Sequence, residues 1–265
     1  MNAASQKMVD LLKELRDEYG CVAVKAEFEA EGSRTNEMIM LLEVLNRCDM
    51  PLTIKIGGCE AVRDLDQCKL LGAQNIMAPM IETPFALSKF KGAAQKVYGD
   101  RMGEINWVIN AETKTCKKNY PAILEEGKGF LNMVGIGRVD YSSSCGLTRS
   151  DINNDFMLQS CIEIAKQSRD AGLVVAFGGG ISFDAIPFIK AMAPYADRFE
   201  TRKVHFQVTD DERIFKRGIF DAMKFETLYL ENKCSYYDSM ANEDRARLKM
   251  MHERVAKAKS ELHLD

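Results

Sequence analysis

Asn106-Trp107-Val108-Ile109-Asn110-Ala111-Glu112 and Met133-Val134-Gly135-Ile136-Gly137-Arg138-Val139-Asp140 decide the reading of this chain. Each is an apolar run of strand length that turns acidic only at its carboxyl end. A carboxylate at the mouth of a parallel barrel is costly to desolvate unless something cationic sits there. Two of them, one strand–helix unit apart, point to a divalent ion held by oxygen ligands. Glu112 and Asp140 are therefore the candidate metal ligands.

Working outward, short apolar strands alternate with amphipathic helices. Strands are expected at 21–28, 52–57, 75–81, 105–111, 132–139, 173–178 and 198–206. Helices are expected at 5–18, 34–47, 60–71, 84–98, 114–126, 151–170 and 182–193. That alternation implies a parallel sheet with right-handed crossovers. The expected fold is α/β, a TIM-type (β/α) barrel. Only seven strands are visible, so one strand is atypical or missing, and a doubly wound open sheet is the alternative. Residues 1–208 form the barrel in this reading. Residues 209–265 carry no strand pattern and form a helical extension of two helices, closing the barrel, packing on a neighbouring subunit, or both. A homo-oligomer is expected.

The chain has 265 residues, 46% hydrophobic and 28% charged. This suits one barrel, whose usual length is about 250 residues. A net charge of −3 leaves no basic footprint for nucleic acid. No apolar run approaches the roughly 20 residues of a bilayer span, and the start lacks a secretion-signal pattern. A soluble cytoplasmic protein with no membrane or nucleic-acid partner is expected. The eight cysteines form no CxxC pair and read as reduced thiols.

Strand alternation selects the side chains that point into a barrel. On 21–29 the inward set is Ala23, Lys25, Glu27 and Glu29, and on 52–57 it includes Thr53 and Lys55. Asn110 shares a face with Glu112, and Arg138 shares one with Asp140. These charges are expected to converge at the carboxyl ends of the strands, where such barrels hold their active sites. Phe177-Gly178-Gly179-Gly180 follows a strand and precedes a helix, so Gly179 is a candidate for holding an anion on backbone N–H groups. Tyr141 to Arg149 form a polar loop beside Asp140, read as a lid that carries Arg149 to substrate. Glu82, before Thr83-Pro84, reads as a structural carboxylate at a helix start.

Several stretches resemble the HpcH/HpaI aldolase and citrate lyase β-subunit family, of the phosphoenolpyruvate/pyruvate-type barrels. They are Pro51 to Gly58, Leu70 to Met80, Asn110-Ala111-Glu112-Thr113 and Ile136 to Ser142. The resemblance spans about residues 21–208. It implies Mg²⁺ or Mn²⁺, or another divalent metal, at Glu112 and Asp140. It also implies a cation at Lys55 against the substrate carboxylate or enolate, where the family normally has arginine. The aldolase branch carries a histidine base where this chain has Ala30, and Glu27-x-Glu29 is closer to the CoA-ester lyase branch. The implied function is a metal-dependent carbon–carbon lyase or aldolase. It would work through a metal-stabilised enolate of pyruvate or a related 2-oxo acid, with an aldehyde or CoA thioester as the second partner. The expected catalytic groups are Lys55, Glu29, Glu27 and Arg138. The expected substrate contacts are Lys25, Asn110, Gly137, Tyr141, Ser142 and Gly179. Three alternatives stand beside it: a citryl- or malyl-CoA-like lyase or condensing enzyme, a Schiff-base aldolase using Lys25, Lys55 or Lys203, and a non-catalytic family member.

Overall fold

The computed structural model describes residues 1–261. It opens on α1 (Ala3–Tyr19), where the Asn2 side chain accepts from the Ser5 N–H and Gly20 ends the helix at φ 69°. Only glycine takes that backbone conformation without a Cβ clash. Then follow β1 (Cys21–Glu27), α2 (Thr35–Asn46), β2 (Leu52–Lys55), α3 (Val62–Leu71), β3 (Asn75–Ala78), α4 (Pro84–Tyr98) and β4 (Asn106–Ala111). The second half carries α5 (Lys114–Glu126), β5 (Met133–Gly137), α6 (Arg138–Ser144), α7 (Asp155–Asp170), β6 (Val174–Gly178), α8 (Ile186–Met192), β7 (Arg198–Glu200), β8 (Val204–Gln207) and α9 (Glu212–Glu261).

The sheet is a closed barrel in sequence order, which excludes the open doubly wound alternative. Strands β1 to β7 are parallel neighbours, and β8 runs antiparallel between β7 and β1. The eighth strand is thus the second half of the segment that reads in sequence as one strand, 198–206. The chain reverses within Thr201–Lys203: the Thr201 N–H donates to the Val204 carbonyl at 2.9 Å, and the Val204 N–H donates to Thr201 Oγ1 at 3.1 Å. Phe199 and Phe206 flank a run that holds no glycine or proline, so no turn signal marks the reversal.

Two apolar regions hold the barrel. A large one lies between strands and helices. A small one, Met77, Val108, Met133 and Ala176, fills the barrel interior. Near the amino ends of the strands, Asn106 Nδ2 donates to Asn75 Oδ1 and Asn75 Nδ2 to Thr53 Oγ1, so the buried Asn75 amide is paired through both its oxygen and its nitrogen.

One continuous helix, α9, 50 residues long, replaces the two helices expected after residue 210. Its first half packs along α1 and buries Phe215, Ile219, Ala222, Phe225 and Tyr229. Phe199 stacks on Phe206 at 5.1 Å and meets Phe215 edge-on at 5.6 Å, fixing the β7–β8 hairpin to the helix. Among the described residues no helix is long and apolar enough to cross a membrane. All eight cysteines are free.

Candidate active site

The inward side chains of β1, β2, β4 and β7 meet at the carboxyl ends of the strands, around a cavity of about 580 Å³. Lys25, Glu27, Glu29, Lys55, Asn110, Glu112, Gly137, Asp140 and Gly179 all line it, as expected from sequence. Lys25 Nζ lies 3.0 Å from Glu200 Oε1 and 3.3 Å from Glu27 Oε1. Burial works against the Lys25 charge, but Glu200 and Glu27 outweigh it and hold the ammonium pKa above its ordinary value. Burial likewise opposes the Glu200 charge, and Lys25 overcomes it, so that carboxyl titrates below its usual range. Lys55 Nζ sits 2.7 Å from Glu29 Oε2 and 3.4 Å from Glu112 Oε2. Burial is again the largest influence, and Glu112 and Glu29 reverse it, leaving Lys55 raised and protonated.

Glu112 is 1% exposed. Its Oε2 accepts from Asn110 Nδ2 at 2.8 Å and its Oε1 from the Met80 N–H at 3.0 Å. Met80 adopts φ 52°, a rare conformation for a residue with a side chain, and that local strain turns its N–H toward the carboxylate. Burial, with a smaller contribution from Asp140, raises the Glu112 pKa despite Lys55, Met80 and Asn110. The Met80 N–H was invisible in sequence because a backbone donor leaves no residue signature.

Room for these groups comes from the next two strands. A Cβ at Gly137 would lie 2.7 Å from Glu112 Oε2, and one at Gly135 would lie 2.5 Å from Asn110 Oδ1. A Cβ at Gly178 would overlap the Glu200 side chain. Glycine at these inward positions is therefore a steric requirement of the carboxylates opposite.

Four expected residues are placed otherwise. Strand β5 stops at Gly137, so Asp140 is the third residue of α6, not a strand end. It is exposed and reaches the cavity from the helix. Arg138 turns away from the cavity and is fully buried. It donates to the carbonyls of Gly178 (3.0 Å) and Gly179 (2.7 Å) and to Asn153 Oδ1 (2.7 Å), with its guanidinium 4.3 Å from the Phe188 ring centre. Burial lowers its pKa to about 10. It ties the β6 loop to the segment after α6 and does not face substrate. The reason is parity: Gly135 and Gly137 face inward on β5, so Val134, Ile136 and Arg138 face the helices. Tyr141 and Ser142 are also buried away from the cavity, with Ser142 Oγ donating to the Val139 carbonyl at 2.9 Å. Gly179, at φ 84°, passes close to the first turn of α6, where an added Cβ would lie 2.9 Å from the Val139 nitrogen.

The hairpin adds groups that a single strand would have placed on opposite faces. Glu200 and His205 pair across it and both point inward. His205 Nε2 is 3.0 Å from Glu200 Oε2 but off the angle of a hydrogen bond, and both ring nitrogens lack partners. Burial pushes the His205 pKa down to about 4, so the imidazole is neutral. Lys203 lies outside the cavity, against Glu31 and 4.3 Å from the Tyr229 ring centre. Met223 and Glu226 of α9 complete the cavity wall, a contribution that nothing in their local sequence announces. Glu82 accepts from Thr113 Oγ1 at 2.7 Å, and Thr113 caps α5, so Glu82 is structural.

Among the described residues no three His, Cys, Asp or Glu side chains are grouped to hold a metal. The donor set still fits an ion that takes one or two carboxylates and completes its shell with water and substrate, as Mg²⁺ does. Glu112 and Asp140 line one cavity, and the missing side chain at Gly137 leaves space beside Glu112 Oε2. The cavity lining carries six carboxylates and four cations, and one dication would balance the excess.

The model of the HpcH/HpaI aldolase/citrate lyase family matches residues 48–179. An HpcH/HpaI aldolase from Desulfitobacterium hafniense DCB-2 superposes with a TM-score of 0.61 at 14% identity, over 75% of this chain and 82% of that one. RipC from Yersinia pestis superposes with a TM-score of 0.51 at 10% identity, over 77% of this chain and 87% of that one. At these identities the two structures speak for the fold alone. No curated protein matches the sequence.

Proposed function

We propose that this chain, which belongs to the HpcH/HpaI aldolase/citrate lyase family through residues 48–179, makes or breaks a carbon–carbon bond next to the keto group of pyruvate or a related 2-oxo acid. The observation that carries this reading is the buried Glu112 carboxylate, which shares a cavity with Asp140 and stands beside the gap at Gly137. Glu112 and Asp140 would hold Mg²⁺ or Mn²⁺, which when bound supplies Lewis-acid polarisation to the keto oxygen.

The chain's own residues supply the rest. Lys55, held protonated by Glu112 and Glu29, offers a fixed ammonium to the charge that develops on the substrate as an enolate forms. A fixed charge in a partly dry cavity needs no reorganisation at that moment. No imidazole stands at Ala30, which lines the cavity. Glu29, a quarter exposed and 2.7 Å from Lys55, is the carboxylate placed to take a proton from the carbon next to the keto group. Asn110 orients Glu112 through its amide N–H. The Schiff-base alternative is disfavoured because Lys25 and Lys55 both titrate above the ordinary lysine range, whereas a nucleophilic amine must be neutral, and Lys203, whose pKa burial lowers, lies outside the cavity.

The test is Mg²⁺-dependent exchange of deuterium from solvent into the methyl group of pyruvate, with Mn²⁺ binding followed separately by electron paramagnetic resonance. Glu112→Gln should abolish Mn²⁺ binding and slow exchange by about 100-fold or more, the scale for losing a preorganised electrostatic group. Full exchange in metal-stripped protein, or unchanged Mn²⁺ binding in the variant, would overturn the reading.

A further inference from the structure

Helix α9 leaves the body of the protein halfway along its length. Its last anchors are Lys233 Nζ, 3.1 Å from Glu37 Oε2, and Tyr237, whose hydroxyl donates to Glu37 Oε1 at 2.6 Å and whose ring centre lies 5.2 Å from the Arg34 guanidinium. From Asn242 to Glu261 every residue is exposed, although the chain remains one continuous helix. At about 1.5 Å per residue, that is about 30 Å of helix. No element among the described residues covers it.

Helices in proteins draw most of their stability from burying one face, and this stretch carries such a face. Leu248, Met251, Val255 and Ala258 recur at the alternating spacing of paired helices, and Ala241 extends the line one heptad earlier. Leu248, Met251 and Val255 are 55%, 42% and 59% exposed. Both edges of this seam are basic between 245 and 259. Arg247 and Arg254 lie on one edge, and Arg245, His252 and Lys259 lie on the other. Glu261 continues the first edge and stands 3.8 Å from Lys257. Asp244 interrupts the seam itself, between Ala241 and Leu248.

These charges decide what the seam fits. In a parallel pair of two copies, Arg254 would meet Lys259 across the edge, and Asp244 would face its own counterpart inside the seam. In an antiparallel pair like edges meet, and cation again faces cation. Like charges at such positions work against pairing, so a second copy fits poorly. An anionic membrane fits poorly too. Helices that lie in a lipid interface present Trp, Phe or Leu on the apolar face, whereas this seam is narrow, holds no aromatic residue and has arginine on both borders. Its complement is an apolar seam edged with carboxylates, carrying a cation opposite Asp244.

We propose that residues 241–259 are a docking arm for an acidic amphipathic helix of another protein. Leu248, Met251 and Val255 supply the buried contact. Arg245, Arg247, Arg254 and Lys259 pair with Glu or Asp along the two edges and so select the partner. The arm begins about 22 Å along the helix from Glu226, the nearest α9 residue in the cavity wall, so the proposal does not depend on the reaction.

The probe is a synthetic peptide of about four heptads, with Leu at the seam positions, Glu at the edges and one Lys opposite Asp244. Its Glu edges keep it from pairing with itself. A control peptide has the same composition in shuffled order, so it keeps the charge and loses the heptads. Binding of each to the full-length protein is followed by fluorescence anisotropy. The patterned peptide should bind at least about tenfold more tightly than the control, and less tightly as salt is raised. Leu248→Gln with Val255→Gln should weaken it about tenfold or more, the scale for losing buried aliphatic contacts. Reversing the edges with Arg245→Glu, Arg247→Glu, Arg254→Glu and Lys259→Glu should abolish binding of this peptide and create binding of one with Lys edges, a gain that a misfolded arm would not show. Equal binding of patterned and shuffled peptides, or binding that the Gln variant leaves unchanged, overturns the proposal. Sedimentation judges the second copy: an assembly that dissociates in the Gln variant means that another copy covers the seam, and the proposal fails. Attachment to phosphatidylserine vesicles with no response to the patterned peptide overturns it in favour of a membrane.

Discussion

The two sides of the barrel mouth are built in opposite ways. β1, β2, β4 and β7 end in long polar side chains, Lys25, Glu27, Lys55, Asn110, Glu112 and Glu200 among them, all aimed inward. β5 and β6 end in inward glycines at 135, 137 and 178, whose missing side chains are the space those groups occupy. A closed barrel can gather this many charges only if part of its wall carries nothing. The charged side is held by mutual neutralisation and the bare side by sterics, so the two should fail differently when disturbed.

The sharpest way to break the charged side is Lys25→Ala. It leaves Glu200 and Glu27 buried without their cation, and a loss of about 3–5 kcal/mol in chemical denaturation is expected. Next comes acid. The His205 imidazole titrates at about 4 when folded, against 6.5 for the free side chain. The unfolded chain therefore binds a proton that the folded chain refuses, and stability falls as pH drops from about 6.5 toward 4. The size is roughly 2–3 kcal/mol. His205→Gln should flatten the pH dependence of stability in that window, and an unchanged slope would show that His205 is not the group responsible. The smallest expected effect on stability lies on the bare side. Gly137→Ala places a methyl group against Glu112 and should cost about 1–3 kcal/mol by overpacking. Mn²⁺ affinity should fall with it. A variant of full stability and full affinity would show that the emptiness of β5 is incidental.

Legibility in the sequence follows the same division. Lys25, Glu27, Lys55, Asn110 and Glu112 were found because a long polar side chain on every second residue of an apolar strand has few places to go but the interior. On β5 the inward positions beside the cavity, 135 and 137, are glycines, which give no polarity signal. Counting back from Asp140 therefore assigned the wrong face to Arg138, and the alternation carried no information past Gly137, where the helix begins. A single strand over 198–206 sets Glu200 and His205 on opposite faces, and Thr201–Lys203 contains no glycine or proline to mark the turn that brings them together.

By itself the sequence determined the strand–helix rhythm, the barrel class and the inward charges of the first strands, because these follow from side-chain periods of 2 and 3.6 that act locally. Tertiary structure decided the reversed eighth strand, the single long α9 whose Met223 and Glu226 reach the cavity, the strained Met80 donor and the exit of Arg138 from the site. Each depends on which surface a segment meets after the barrel closes, and a local pattern holds no record of that.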